Sequence, residues 1–152
     1  MDPRDIKKIL APTDFSEPSA RAVDTAVAFA RAFGATVELV HVAVEAAYVL
    51  PPPVDVAVLP IDMGKLLDET AKSLEREEAR LRGAGVTATS TTLVGRPDAE
   101  IVDHAAKTGA DIIVMGTHGR TGLGHVLLGS VAERVVKHAR CPVLIVPWHE
   151  RK

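Results

Sequence analysis

Five glycines, Gly116, Gly119, Gly122, Gly124 and Gly129, lie within the segment GTHGRTGLGHVLLGSVAER. Glycine accepts positive φ and lets backbone N–H groups approach a ligand closely. Gly129 and Ser130 open a helical pattern, and the unpaired N–H groups and dipole of a helix start favour an anion. Ser130 adds a hydroxyl donor, and Arg120, His118 and His125 stand nearby as cationic or donor groups. Together these residues suit the holding of a phosphate. The P-loop form is excluded. Gly124-x4-Gly129-Ser130 has the right glycine spacing, but no lysine follows Gly129 to grip a transferring phosphate. The GxGxxG fingerprint is excluded too. Leu127 stands where its third glycine belongs, and that fingerprint follows a first strand.

The elements that would position this loop alternate. Ile6 to Pro12, Thr36 to Val42, Val86 to Leu93, Asp111 to Met115 and Pro142 to Val146 read as strands. Ser16 to Phe33 reads as a helix with Ser16 as N-cap, Pro18 in its first turn and Gly34 at its stop. Met63 to Arg82, Asp98 to Lys107 and Ser130 to Ala139 read as further helices, the first of them ended by Gly83 and Gly85. The run Asp111-Ile112-Ile113-Val114-Met115 is nearly all apolar, as a strand buried on both faces must be. The Thr-rich third strand predicts a sheet edge.

This order predicts an α/β fold over residues 1–152 as a single domain. It is a five-stranded parallel sheet, doubly wound and Rossmann-like. In such sheets ligands bind at the carboxyl ends of strands where the strand order reverses. That points to three places: Pro12 to Ser16, Val42, and Gly116 onward. Residues 44 to 62 carry four prolines among apolar residues and read as an ordered loop or lid.

Composition narrows the function. Aromatics are 3%, too few for single-strand nucleic-acid binding by base stacking, and a net charge of −2 supplies no basic field for nucleic acid or anionic lipid. The longest apolar stretch, near residues 42–61, is broken by Glu45, Asp55 and Pro51-Pro52-Pro53, so no membrane span is expected. MDPRDIKKIL lacks the apolar region of a secretory leader, which makes the cytoplasm the expected location. The single cysteine, Cys141, rules out an intramolecular disulfide and reads as a small buried apolar residue. The six histidines show no metal-ligand pair, and no protein-held metal site is expected.

The spacing Gly116-x2-Gly119-x9-Gly129-Ser130 resembles the nucleotide-binding motif G-2x-G-9x-G-[S/T] of the universal stress protein family. The resemblance runs from Ile6 to Val146: ILAPTDFS at the start, His41-Val42 at the second strand, VGRP from Val94 to Pro97, and CPVLIVP at the close. It implies a fold of the adenine-nucleotide alpha hydrolase-like type and ATP, or another adenine nucleotide, as cofactor. Pro12, Thr13, Asp14 and Val42 would then face the adenine end, and Met115 and Gly116 the ribose. Gly119, Arg120, Gly129, Ser130 and Val131 would surround the phosphates, with Mg²⁺ carried on them. It also implies a homodimer paired through the last strand, Val143 to Val146. Asp14 has a second reading as a cap of the first helix, and Arg120 as a solvated loop charge.

The resemblance implies a nucleotide-dependent regulatory or stress-response protein. Two alternatives stay open: a slow ATPase or nucleotidyl or phosphoryl transferase on the same fold, and a nucleotide-free interaction module. Strong catalysis is not expected and no catalytic residue is assigned. No lysine follows the glycine loop, and no acidic pair is placed to hold metal and orient water. A phospho-receiver is rejected because Thr91-Thr92-Leu93 stands where its aspartate belongs. A flavodoxin-like flavin site is rejected because TDFSEPS, after the first strand, has no glycine.

Overall fold

Ile9, Leu10 and Ala11 are consecutive, and none is exposed to solvent. A strand can hide three neighbours in a row only if both of its faces are covered. A computed structural model, which describes residues 2, 5–44, 62–117 and 128–149, shows how this is done. The elements run β1 (Lys8–Pro12), α1 (Glu17–Phe33), β2 (Thr36–Ala43), α2 (Met63–Gly83), β3 (Ala88–Val94), α3 (Pro97–Thr108), β4 (Ile112–Gly116), α4 (Ser130–His138) and β5 (Val143–Val146). All strands pair in parallel in the order β3-β2-β1-β4-β5. The Thr-rich β3 is an edge, as expected, and β4 is interior.

The pleat sorts side chains into two cores. Ile9, Ala11, Val37, Leu39 and Val114 meet Val23 and Val27 of α1 and Leu74 and Leu81 of α2. Leu10, Val40, Ile113 and Met115 meet Ile101 and Ala105 of α3 and Ala132 and Val135 of α4. The sheet is therefore doubly wound, with β1 and β4 side by side at the point where the chain reverses direction across the sheet.

Local chemistry sets the helix ends. Ser16 caps α1 by accepting from Ser19 N, and Gly34 closes it at φ 66. Asp62 caps α2 by accepting from Lys65 N. The helix starts at Met63, as expected, and Asp62 is the cap that the sequence reading did not name. At the other end of α2, Gly85 alone takes a positive φ, 81°, whereas Gly83 is its last helical residue. β1 begins at Lys8 rather than Ile6, and β2 extends one residue past Val42. Cys141 is half-buried against the α3/α4 core, and burial raises its thiol above the ordinary value.

A charged group of the sheet lies inside the α3/α4 face. Glu38 of β2 is 6% exposed. Its Oε1 accepts from His104 Nε2 of α3 at 2.6 Å and from Thr91 Oγ1 of β3 at 3.3 Å. Lys8 Nζ of β1 lies 2.8 Å from Oε2, an ionic contact without well-aligned hydrogen-bond geometry. The same ammonium donates to the Thr108 carbonyl at the end of α3, 3.4 Å away. This cluster ties β1, β2, β3 and α3 together. Burial pushes the Glu38 carboxyl up, but the Lys8 ammonium and the His104 imidazole beside it outweigh that and hold the group below its ordinary value.

A carboxyl with a depressed folded value adds stability above its unfolded value, and loses it as pH falls through the folded one. Glu38→Gln is therefore expected to cost about 2 kcal/mol at neutral pH. That is less than for a fully buried pair, because the Lys8 side chain is 31% exposed. The cost should shrink as pH drops below about 4.5. Urea unfolding of both proteins between pH 7 and pH 3 reads this directly. A pH-independent difference would remove Glu38 from the acid response.

Candidate functional site

Strand ends that diverge leave a crevice, and in this chain the divergence is at β1 and β4. A cavity of about 710 Å³ opens at their carboxyl ends, within the range of small-molecule sites. Its floor is Pro12 to Phe15 after β1, Val40 to Val44 at the end of β2, and Met115 to Thr117 at the end of β4. Gly129 to Ala132, with Pro97 and Ile101 of α3, form the wall on one side of the sheet. Leu66, Glu69, Thr70 and Ser73 of α2 form the wall on the other.

The loop after β1 is built by short-range hydrogen bonds. Thr13 N donates to Val40 O at 2.8 Å, prolonging the β1–β2 ladder by one residue. Thr13 Oγ1 accepts from Phe15 N at 3.1 Å and lies 3.2 Å from Ser19 Oγ. Asp14 Oδ1 accepts from Ser16 N at 3.0 Å and also from Ser16 Oγ. The carboxylate thus braces the residue that caps α1, and Ser16 itself is the cap. Between them Phe15 is held at φ 63, a left-handed conformation that a bulky residue adopts only when its surroundings impose it.

Gly116 is a glycine for a packing reason. A Cβ there would lie 3.1 Å from Pro18 O and 3.3 Å from Pro18 C, because the first turn of α1 seats on the end of β4. Gly129 is different. Its φ of −61 and ψ of 157 are open to any L-residue. Its N–H donates to Thr117 O at 2.7 Å and closes the way from β4 to α4. As N-cap of α4 it supplies no side-chain acceptor, in contrast to Ser16 in α1. The N–H groups of Ser130, Val131 and Ala132 therefore face this side of the cavity without a side-chain cap.

The expected site residues come together here. Pro12, Thr13, Asp14, Val42, Met115, Gly116, Gly129, Ser130 and Val131 all line the cavity. Gly119 and Arg120 lie outside the described residues, as do His118, His125, Gly122, Gly124 and most of the 44–62 loop. Phe15, within the Pro12 to Ser16 stretch, and His41, beside Val42, line it too without having been given a role, whereas Ser19, Ile101 and the α2 residues were not expected. The α2 set follows helical spacing, but which face of α2 meets the sheet end depends on strand order, which spacing does not reveal. Among the described residues no group of three His, Cys, Asp or Glu is placed to hold a metal ion. No helix among them is long and apolar enough to cross a membrane.

Fold and cavity define a doubly wound α/β protein with a switch-point site whose anion-favouring side is the start of α4. The Universal stress protein family model matches residues 5–147, and the chain belongs to that family. It is 41% identical over 140 residues to Universal stress protein MJ0531 of Methanocaldococcus jannaschii, covering 92% of this chain and 81% of that one. It is 37% identical to Universal stress protein MJ0577 of the same organism over 92% of this chain and 94% of that one. The solved structure of MJ0577 superposes with a TM-score of 0.80 at 34% identity, covering 96% of this chain and 99% of that chain. A universal stress protein solved in complex with cAMP superposes with a TM-score of 0.69 at 25% identity, covering 93% and 97% of the two chains.

The close contact at Gly116 is testable without any ligand. Gly116→Ala is expected to destabilise the fold by about 1–3 kcal/mol, lowering Tm by roughly 3–10 °C, because α1 has to shift off the strand end. Thermal unfolding followed by circular dichroism measures it. An unchanged Tm would mean that Pro18 yields at no cost.

Proposed function

We propose that the chain binds an adenine nucleotide across the carboxyl end of the sheet and acts as a nucleotide-dependent regulatory or stress-response protein. The observation that carries this reading is the start of α4. Three backbone N–H groups there lack a side-chain cap and border a cavity at the β1/β4 switch point. A phosphate is the ligand such a helix start favours. The similar protein in complex with cAMP supports a nucleotide as the ligand class.

In this reading Gly129, Ser130 and Val131 hold phosphate together with Gly119 and Arg120. Met115 and Gly116 lie by the ribose, and Pro12, Thr13, Asp14 and Val42 by the base. ATP with Mg²⁺ is the expected form. In this reading the phosphates carry the ion. No lysine directly follows Gly129 in the sequence, and hydrolysis in this reading is slow or absent. The protein acts in the cytoplasm as a homodimer. All four residues of the edge strand β5 are only half-buried, which leaves a strand edge for a second copy to cover.

Purified without added nucleotide and then denatured, the protein should release about one adenine nucleotide per chain, or else bind ATP–Mg²⁺ in calorimetry. Gly129→Val should abolish that binding and leave Tm nearly unchanged, since the backbone there already suits an L-residue. Unchanged affinity in this variant would remove α4 from the site. Sedimentation equilibrium should give a dimer, and a monomer at micromolar concentration would overturn the β5 pairing.

A further inference from the structure

The sheet ends in β5 on one side and in β3 on the other. The ladder between β2 and β3 fixes which backbone groups of β3 face outward. Val37 N donates to Thr87 O at 2.9 Å, and Gly95 N donates to Ala43 O at 3.0 Å. Val37 pairs with Ala88, and Ala43 with Val94. In a parallel strand the N–H and C=O of one residue share a side, and that side alternates along the chain. The odd-numbered residues of β3 therefore bond β2. Ala88, Ser90, Thr92 and Val94 turn their N–H and C=O groups away from it. Such a row is a template for a further strand. Among the described residues no hydrogen bond reaches the outward groups of Ser90, Thr92 or Val94.

The start of the row is occupied. Arg82 of α2 donates from Nε and Nη2 to Ala88 O, at 3.3 and 3.1 Å. Its Nη2 also lies 2.6 Å from Glu78 Oε1, and Glu78 Oε2 accepts from Ser90 Oγ at 2.7 Å. The guanidinium is thus fixed at the edge, although the Arg82 side chain is 61% exposed. The rest of the row, Ser90 to Val94, carries no charge and suits a strand. It also matches itself. An antiparallel partner related by a two-fold at Thr92 would set Thr92 opposite Thr92 and Ser90 opposite Val94. The same register sets Ala88 opposite Arg96, whose side chain is exposed as well. Arg82 already occupies the Ala88 carbonyl there, and its charge would face that of Arg96 at both ends of the pairing. Like charges directly opposite each other destabilise a strand pair. Resting on the β5 pairing above, we propose that Arg82, positioned by Glu78, keeps β3 from pairing with a second copy of this chain. The surface it protects is the edge Ser90–Val94, and the partner that edge fits is the same strand of another copy. Assembly through the sheet then stops at β5.

Sedimentation equilibrium from micromolar to about 0.5 mM reads this, because a contact of one short strand pair is weak. Wild type should keep the mass of its dimer throughout. Arg82→Ala should raise the weight-average mass about twofold or more at the highest concentration, as freed edges pair. Arg82→Lys keeps the charge and should behave as wild type. Thr92 N points away from β2, so proline there breaks no ladder bond and spoils only the outer edge. Thr92→Pro added to Arg82→Ala should therefore restore the wild-type mass. Melting curves check that each variant is folded. Should Arg82→Ala not fold, Arg82→Gln, which can still donate to the Ala88 carbonyl without a charge, takes its place. A folded Arg82→Ala protein that keeps the wild-type mass overturns the proposal. So does growth that survives Thr92→Pro, equal growth in Arg82→Lys, or growth of wild type itself that Thr92→Pro stops. If wild type is a monomer, the β5 pairing falls, and the role of Arg82 is still read from whether Arg82→Ala forms a dimer that Thr92→Pro abolishes.

Discussion

The approach of the α1 backbone to Gly116 is the contact on which the rest of the cavity depends. The chain leaves β1, turns, and must lay its first helix over the neighbouring strand β4. It does so with Pro18 O only 3.1 Å from where a Cβ would stand. The turn that permits this is short. Thr13 and Asp14 spend side-chain oxygens on Phe15 N and Ser16 N, and Phe15 takes the left-handed conformation that remains. Thr13 in turn offers its carbonyl to His41 of β2. One close contact between a helix and a strand end thereby positions groups from three separate parts of the chain.

The two ends of the sheet carry different physics. The middle of the molecule is a pair of apolar cores pressed on the two faces of the strands. Inside one of them, the Lys8–Glu38–His104 cluster ties α3 to the sheet by hydrogen bonds as well as by packing. The carboxyl end instead holds buried and half-buried polar side chains, a strained residue and a helix start without a side-chain cap. Ligand sites draw on such groups, and they add little to folding. Because α3 reaches from the ionic cluster at His104 to the cavity at Pro97 and Ile101, it is the element that belongs to both regions.

Much of this was legible in the residues. Alternating apolar runs implied a parallel sheet, Thr-rich β3 implied an edge, and Ser16 and Gly34 marked the ends of α1. The glycine spacing led to the start of α4, and the strand-end rule led to the loop after β1. What was not legible needed neighbours distant in sequence. Glu38 is one residue of a strand pattern until His104, sixty-six positions away, is laid beside it. Phe15 reads as an ordinary apolar residue, because nothing in its type signals a positive φ. Thr70 and Ser73 share a helical stripe with core leucines, and only the position of α2 against the sheet end separates wall from core. Gly116 and Gly129 look alike in sequence. One is a glycine because a helix backbone presses on it, whereas the other sits in a conformation that any residue could take.

The hydrogen bond from Gly129 N to Thr117 O has a consequence of another kind. Thr117 at the end of β4 and Gly129 before α4 are held 2.7 Å apart, donor to acceptor. A connection whose ends already touch costs little extra to lengthen, since closure entropy grows only slowly with length. β4 and α4 are fixed by their own packing on either side of that bond. The stretch between Thr117 and Gly129 is thus clasped at its base: wherever its side chains act, the strand end and the helix start that bracket it are held together.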